Sequence, residues 1–570
     1  MSNVALIMLS GFLFFGGYRL CRSQEIDKHE EWRITPRLSV GTTYSDNIRL
    51  MPTNQMEGDI ILQVDPGISM RKQGSRLNMR LDYTAQGLLY TNNSDANKIN
   101  NNLLAFGTAE LYEKHLFLDA YGSITQVPIS SRSRIDVGSL GSNESSNGPS
   151  TLLSSFSNLN LMLPNADELF NPIGIFSNIA LISNQTTQSN LGISPHWRQS
   201  FGGLAEMLLR YRYADISYSG SDNLIDPLNE LSDSQINAIE FNFGSGRRFN
   251  VLTWNLNYFY QQQNNQQNIT ERNRNNQQEL LMGKFNYRLN KSWALIAKSG
   301  YVNNLSSSDA DNKNGSYWGL GATWLPNRLY SFAGLYGSNF NEVTVQFNPS
   351  LDNDFDVRPN SERSNNLKIT RIYQGVGYNP GIYWNGSFNY RTPHSAWLAS
   401  YTQEVTTAQQ LTSSSLVGVD PEGRPIALDE QGQTLISGGS FGQTNQLFLH
   451  KVFSLSATYL RGRNSLGFNA FSDSREFQDL NLNQDIYGAG AIWTWWFAPR
   501  SVSFIGTGWE HGVLSDNQQN DYWVSVIGLA RVLSPNSGGL ISYRYYQNDG
   551  NLSSESFQEN RLNIRFNMKF

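Results

Sequence analysis

Leu562-Asn563-Ile564-Arg565-Phe566-Asn567-Met568-Lys569-Phe570 is the stretch whose reading decides the fold. Leu562, Ile564, Phe566, Met568 and Phe570 alternate with Asn563, Arg565, Asn567 and Lys569. Successive side chains of a strand point to opposite faces, so this segment has one apolar and one polar side. The same period of two recurs upstream. Leu77, Met79, Leu81, Tyr83, Ala85, Gly87 and Leu89 are interleaved with Asn78, Arg80, Asp82, Thr84 and Gln86. Leu252, Trp254, Leu256, Tyr258 and Tyr260 are set against Thr253, Asn255 and Asn257, and the pattern returns in Tyr487, Ala489, Ala491, Trp493, Trp495 and Phe497.

A soluble sandwich also alternates, with its apolar side inward. Three features favour a membrane. The amphipathic segments are long, whereas soluble strands run to about 5–6 residues and a tilted strand needs about 9–11 to cross hydrocarbon. Aromatics gather near the segment ends, where interfacial girdles would sit. The connections alternate short and long. Short turns are expected at Gln73-Gly74, Lys114-His115, Phe201-Gly202, Arg248-Phe249, Asn290-Lys291, Pro326-Asn327, Thr392-Pro393, Gly462-Arg463, Pro499-Arg500 and Pro535-Asn536. Many hold the Gly, Pro or Asn that tight turns require. Short periplasmic turns and longer external loops define an all-β, transmembrane, antiparallel up-and-down β-barrel. The segments predict about 22 strands, with both ends of the barrel on the periplasmic side, in a bacterial outer membrane. Phe566, Met568 and Phe570, on a last strand ending in an aromatic, resemble the signal by which the barrel-assembly machinery recognises its clients. The expected surroundings are outer-membrane lipid and lipopolysaccharide.

Composition agrees with one wet and one greasy face. Of 570 residues only 16% are charged while 12% are aromatic, with 13 Trp, 27 Tyr and 30 Phe. A net charge of −5 argues against a nucleic-acid partner. The single cysteine, Cys21, leaves no disulfide framework and no thiolate metal site. Val4 to Gly17 is an apolar run of export-signal length. The expected division is a signal peptide at 1–24 and the barrel at 25–570. Leu20-Cys21 suggests a lipoprotein site, but Tyr18 and Arg19 stand where small residues are wanted.

Three long loops are expected at about 128–183, 341–377 and 409–444. None carries a convincing constellation. Gly438-Gly439-Ser440-Phe441-Gly442 matches a nucleophile elbow on paper, but no helix follows it. The six histidines (His29, His115, His196, His394, His450, His511) lack metal-ligand spacing. His511 stands beside Glu510 near the outer end of a strand. Asp352, Asp354 and Asp356 begin like a calcium loop, but Val357 and Arg363 occupy the places of its Gly and closing Glu. The chain therefore reads as a non-enzyme with no metal or cofactor. What remains is the lumen, where Asn78, Arg80, Asp82, Arg210, Arg212, Asn255 and Asn257 are expected to face a solute.

Several stretches resemble the PEP-CTERM system-associated outer-membrane protein family of exosortase and exopolysaccharide loci. They are Thr35–Ile48 (TPRLSVGTTYSDNI), Asp59–Tyr90, Ile193–Tyr213, Phe388–Thr407 and the strand–turn–strand around Tyr459–Asn464. The resemblance is scattered over most of the mature chain, and it implies export of, or attachment to, exopolysaccharide, with polysaccharide export components as partners. A 22-stranded transporter usually carries a plug, yet too few residues precede the first strand near Trp32 to build one. Two functions stay open: a porin-like conduit for a hydrophilic solute, or a cell-surface polysaccharide-binding or anchoring barrel blocked by its own loops.

Overall fold

The computed structural model describes residues 32–74, 76–128, 185–219, 233–266, 276–306, 313–327, 330–338, 340–347, 384–392, 394–406, 448–477, 482–513, 519–551 and 556–570. Within them the chain forms strands almost throughout. They are β1 (Arg33–Ser45), β2 (Asp59–Gln73), β3 (Leu77–Tyr90), β4 (Lys98–Tyr112), β5 (Leu116–Pro128), β6 (Gln185–Ser200), β7 (Ala205–Ser219) and β8 (Asp233–Ser245). Next come β9 (Leu252–Gln266), β10 (Asn276–Arg288), β11 (Trp293–Ser306), β12 (Lys313–Asn327), β13 (Tyr330–Ser338), β14 (Phe340–Phe347) and β15 (Trp384–Arg391). The wall is completed by β16 (Ser395–Thr406), β17 (Phe448–Arg461), β18 (Asn464–Phe477), β19 (Leu482–Ala498), β20 (Ser501–Val513), β21 (Gln519–Ser534), β22 (Ser537–Gly550) and β23 (Phe557–Lys569).

Each strand pairs with its neighbours in chain order, and β1 pairs with β23 from Arg37↔Lys569 to Ser45↔Arg561. The sheet is thus closed. No edge is left to expose unpaired backbone groups, which is what hydrocarbon demands of a spanning sheet. The count is 23 among the described residues, one more than expected. The extra strand is β14, which overlaps the start of the expected 341–377 loop. It pairs antiparallel with β13 and parallel with β15, the one parallel junction among the described residues. A closed ring must reverse direction an even number of times. With one parallel junction among 23, the remaining 22 reversals satisfy that rule. Both strands at the junction are short, at eight residues each.

Each of the ten expected short turns lies at the junction of two strands that pair antiparallel, although Gln73 ends β2, Pro326-Asn327 end β12 and Pro393 lies outside the described residues. The tightest are two-residue connections: Arg461 faces Asn464 across Gly462-Arg463, and Ser534 faces Ser537 across Pro535-Asn536. Gly462 has φ 58°, a left-handed conformation that a residue without Cβ takes at little cost. The start of β1 and the end of β23 lie at this short-turn end, as Arg33↔Arg71 and Arg37↔Lys569 show. Of the three expected long loops, 409–444 and nearly all of 128–183 lie outside the described residues, as do the signal segment 1–24, Cys21, the Gly438–Gly442 motif and Asp352, Asp354 and Asp356.

One face of the wall is apolar and exposed. Following the register across the closure, Ile505, Ile527, Tyr543, Leu562, Tyr44 and Ile60 stand side by side and are all exposed. Tyr487 and Trp509 stack edge to face (5.7 Å between ring centroids) near the outer end of β19 and β20. Trp493, Trp495 and Phe497 stack near the short-turn end. Ten residues separate Tyr487 from Phe497. At about 3.3 Å per residue and a tilt of about 40°, they span about 25 Å of vertical height, the height of a barrel's apolar band. Further rings mark the same lower level, including Trp293 on Trp324 (5.7 Å) and a Tyr112, His115, Trp197 stack. This is an outer-membrane β-barrel. Large exposed aliphatic and aromatic side chains around a closed ring have no stable place in water.

Candidate functional site on the inner wall

Alternation that turns Leu89, Leu256 and Ile564 outward turns their strand neighbours inward. All seven expected lumen residues take the inward side, in three separate places. Asn78 sits at the short-turn end of β3, where its Oδ1 accepts the Gly74 backbone N–H at 3.2 Å. It secures a turn rather than reaching into the barrel. Arg80 and Asp82 lie just above. Asp82 is buried and takes Arg80 Nε at 2.5 Å, the Ser69 hydroxyl, and Arg37 Nη2 at 3.5 Å. Asn255 and Asn257 form a ladder, with Asn257 donating to Asn255 and Asn255 donating to Asn242 Oδ1 at 2.8 Å.

Around the closure seam these contacts extend into a charged network. Arg565 on β23 reaches over β1 to Asp65 on β2 and donates through Nε to Ser39 Oγ at 2.7 Å. Gln63 donates to Asp65 at 2.6 Å. Arg561 engages Glu559 through both Nε (3.0 Å) and Nη2 (2.8 Å), and Ser45 donates to the same carboxylate at 2.5 Å. Charge-assisted, partly bidentate bonds of this kind are the strong ones, and here they tie the last strand to the first two.

Arg210 and Arg212 belong to a different arrangement on β5 to β8. His196 lies directly opposite Arg210, and Arg210 directly opposite Glu240. Asp119 on β5 accepts the Thr108 hydroxyl at 2.7 Å, with His196 Nδ1 at 3.0 Å and Arg210 Nη2 at 3.5 Å. Arg212 Nη2 stands 3.8 Å from Glu240 Oε2. Phe117 stacks on the His196 ring (5.1 Å) and receives the Arg198 guanidinium on its face (5.1 Å). Across the ring, His450 Nε2 meets Asp473 Oδ1 at 2.8 Å, with both side chains buried.

Sequence reasoning found Arg210 and Arg212 but not the partners that define the site, Asp119, His196 and Glu240. The signal was parity. Each of these residues shares the inward parity of its strand, but which one faces which depends on register. His511 and Glu510, neighbours in sequence, point to opposite faces. Glu510 is buried on the inner side, while His511 bonds Asp521 at 2.9 Å beside Tyr487. His115, in the expected Lys114-His115 turn, stacks against Tyr112 and Trp197, and its Nδ1 lies 3.0 Å from the Arg198 carbonyl.

Two features correct the picture of a uniformly polar lumen. From β18 to β22 much of the inner side is apolar: Phe471, Ile486, Ile492, Val502, Phe504, Val524 and Val526 form one buried cluster. Many inward side chains are also buried, with Arg210 2% and Ile486 0% exposed, while Arg80 keeps 29% of its side chain exposed.

No family model matches the chain, and no curated relative does. Solved barrels do resemble it in outline. The siderophore receptor PirA of Acinetobacter baumannii aligns at 10% identity over 96% of this chain and 81% of that one, with a TM-score of 0.45. The FrpB iron transporter of Neisseria meningitidis gives 9% identity over 96% and 83%, with a TM-score of 0.36. A loop-deletion mutant of OmpT, an outer membrane protein of Vibrio cholerae, gives 9% over 95% and 99%, with a TM-score of 0.29. At such scores the barrel rests on its own strand pairing, and the function on its own wall.

Proposed function

We propose that the chain is an outer-membrane conduit for a hydrophilic solute, with exopolysaccharide leaving the cell as the solute. The observation that carries the reading is the inner side of β1 to β9. There Asp65, Asp82, Asp119, His196, Arg210, Arg212, Glu240 and Asn257 line the inside of a closed barrel. A wall that served only to hold the sheet in lipid would have no need to bury this many ionisable groups, each of which costs desolvation. Polar and charged lumen residues instead set selectivity in channels of this architecture. The polysaccharide assignment draws on the resemblance carried by Thr35–Ile48, Asp59–Tyr90 and Ile193–Tyr213. Assembly through Phe566, Met568 and Phe570, and cooperation with polysaccharide export components, belong to the same reading.

The burial of many inward side chains favours a second reading, a barrel that stays shut and binds polysaccharide at the cell surface. Planar-bilayer recording of the refolded full-length chain separates the two. Discrete conductance steps, reduced by added exopolysaccharide, are the result expected of a conduit. Silence at every voltage, with and without polysaccharide, would refute the conduit and leave the surface-binding protein.

A further inference from the structure

The arginine cluster on β5 to β8 is incompletely paired, and its imbalance points to a ligand. Arg198, Arg210 and Arg212 bring three positive charges to a patch of wall whose carboxylates are Asp119 and Glu240. The two contacts that join the sets, Arg210–Asp119 at 3.5 Å and Arg212–Glu240 at 3.8 Å, are long for hydrogen bonds. Buried donors are left over. The Nε atoms of Arg198, Arg210 and Arg212, His196 Nε2 and the Ser194 hydroxyl have no hydrogen-bond partner and no contact with solvent. Arg210 and His196 are each 2% exposed. Buried polar groups are satisfied in nearly all native structures, and an excess buried cation is expensive unless an anion meets it.

The wall is also shaped at this place. The Tyr121 ring lies across Gly192, where a Cβ would come within 2.1 Å of it, and the Tyr121 hydroxyl is likewise buried and unpartnered. A strand glycine that admits an aromatic ring next to incompletely paired guanidinium groups makes a surface of the type that receives a sugar bearing a negative charge. By contrast, Arg561 at the closure seam meets its carboxylate bidentately.

We infer that the inner face of β5 to β8 is a binding site for an anionic group, the carboxylate or phosphate of a charged saccharide, held by Arg210 and Arg212 with His196 and Ser194. This rests on the conduit reading, whose solute class it names. Binding is measured by calorimetry on the refolded full-length barrel with three probes: a galacturonate oligomer, inorganic phosphate and a neutral maltose oligomer. At least one anionic probe is expected to bind, with affinity reduced about tenfold or more in Arg210→Gln and in Arg212→Gln, the scale of a lost charged hydrogen bond. Arg210→Lys, which keeps the charge, is expected to retain most of the affinity, and a heat-modifiable gel shift establishes that each variant has closed its barrel. Preference between galacturonate and phosphate assigns the source of the anion. Equal binding of the neutral oligomer, absence of anion binding, or anion binding untouched by both glutamine variants overturns the site. Conductance without anion binding removes the site and keeps the conduit. Anion binding lost in Arg210→Gln by a barrel that never conducts keeps the site and removes the conduit.

Discussion

Placing an arginine at Ile527 tests the membrane assignment where it is strongest. Ile527 lies at the middle of β21, points outward, and has Ile505 and Tyr543 directly beside it on the neighbouring strands. A lipid-facing Arg at the bilayer midplane costs a barrel about 2–4 kcal/mol, falling to about 0–1 near the interface. Leu533 supplies the matched control. It is equally exposed, on the same strand and the same face, six residues closer to the β21–β22 turn. Six residues at about 3.3 Å, tilted by about 40°, lower it by about 15 Å, beyond the half-height of a band about 25 Å tall. Ile527→Arg is therefore expected to cost about 2 kcal/mol more than Leu533→Arg, roughly thirtyfold in the folding equilibrium. The assay is denaturant unfolding of barrels refolded in phospholipid vesicles, followed by tryptophan fluorescence. Equal and small costs at the two positions would mean that the exposed face meets water, and the transmembrane reading would fall.

Asp65→Asn leaves Arg565 buried without its carboxylate, and breaking a buried pair costs about 3–5 kcal/mol. The paired change Asp65→Leu with Arg565→Met is expected to recover most of that in the same unfolding assay, and failure to recover would mean that the pair does not close the seam. Gly192→Ala would drive a methyl into the Tyr121 ring, at a cost of about 1–3 kcal/mol by overpacking. A stability unchanged from the parent would show that the ring does not lie there. Phe570→Ser should leave stability nearly unchanged, because that side chain is exposed and its backbone N–H still reaches the Pro36 carbonyl. The fraction assembled in cells should nevertheless fall, and normal assembly would remove Phe570 from the recognition signal.

The features legible in the sequence are those fixed by local rules. A two-residue hairpin needs a residue that tolerates its dihedrals, so Gly462, Pro499 and Pro535 announce their turns. Lipid admits only apolar groups, so the outward side of β19 reads directly as Tyr487, Trp493, Trp495 and Phe497. The inside obeys no such rule. Asp65 finds Arg565 across an intervening strand and 500 residues of chain, and only the register of three strands brings them together. His196 and Asp119 are hidden from sequence reading for the same reason: inward parity is visible, but the partner is not. In β20 and β21 even parity is blurred, because Val502, Phe504, Val524 and Val526 turn inward where Trp523 and Ile527 already fill the outer face. Two apolar faces on one strand yield a near-continuous run that looks like any buried strand. Strand β14 did carry a signal in Val343, Val345 and Phe347, although the acidic stretch beyond it made the whole segment read as a loop. The lipid face is thus written one residue at a time, while the inner wall is written in pairs that exist only after closure. A function that resides in those pairs, such as the Arg210–Arg212 site, has to be read from the closed barrel.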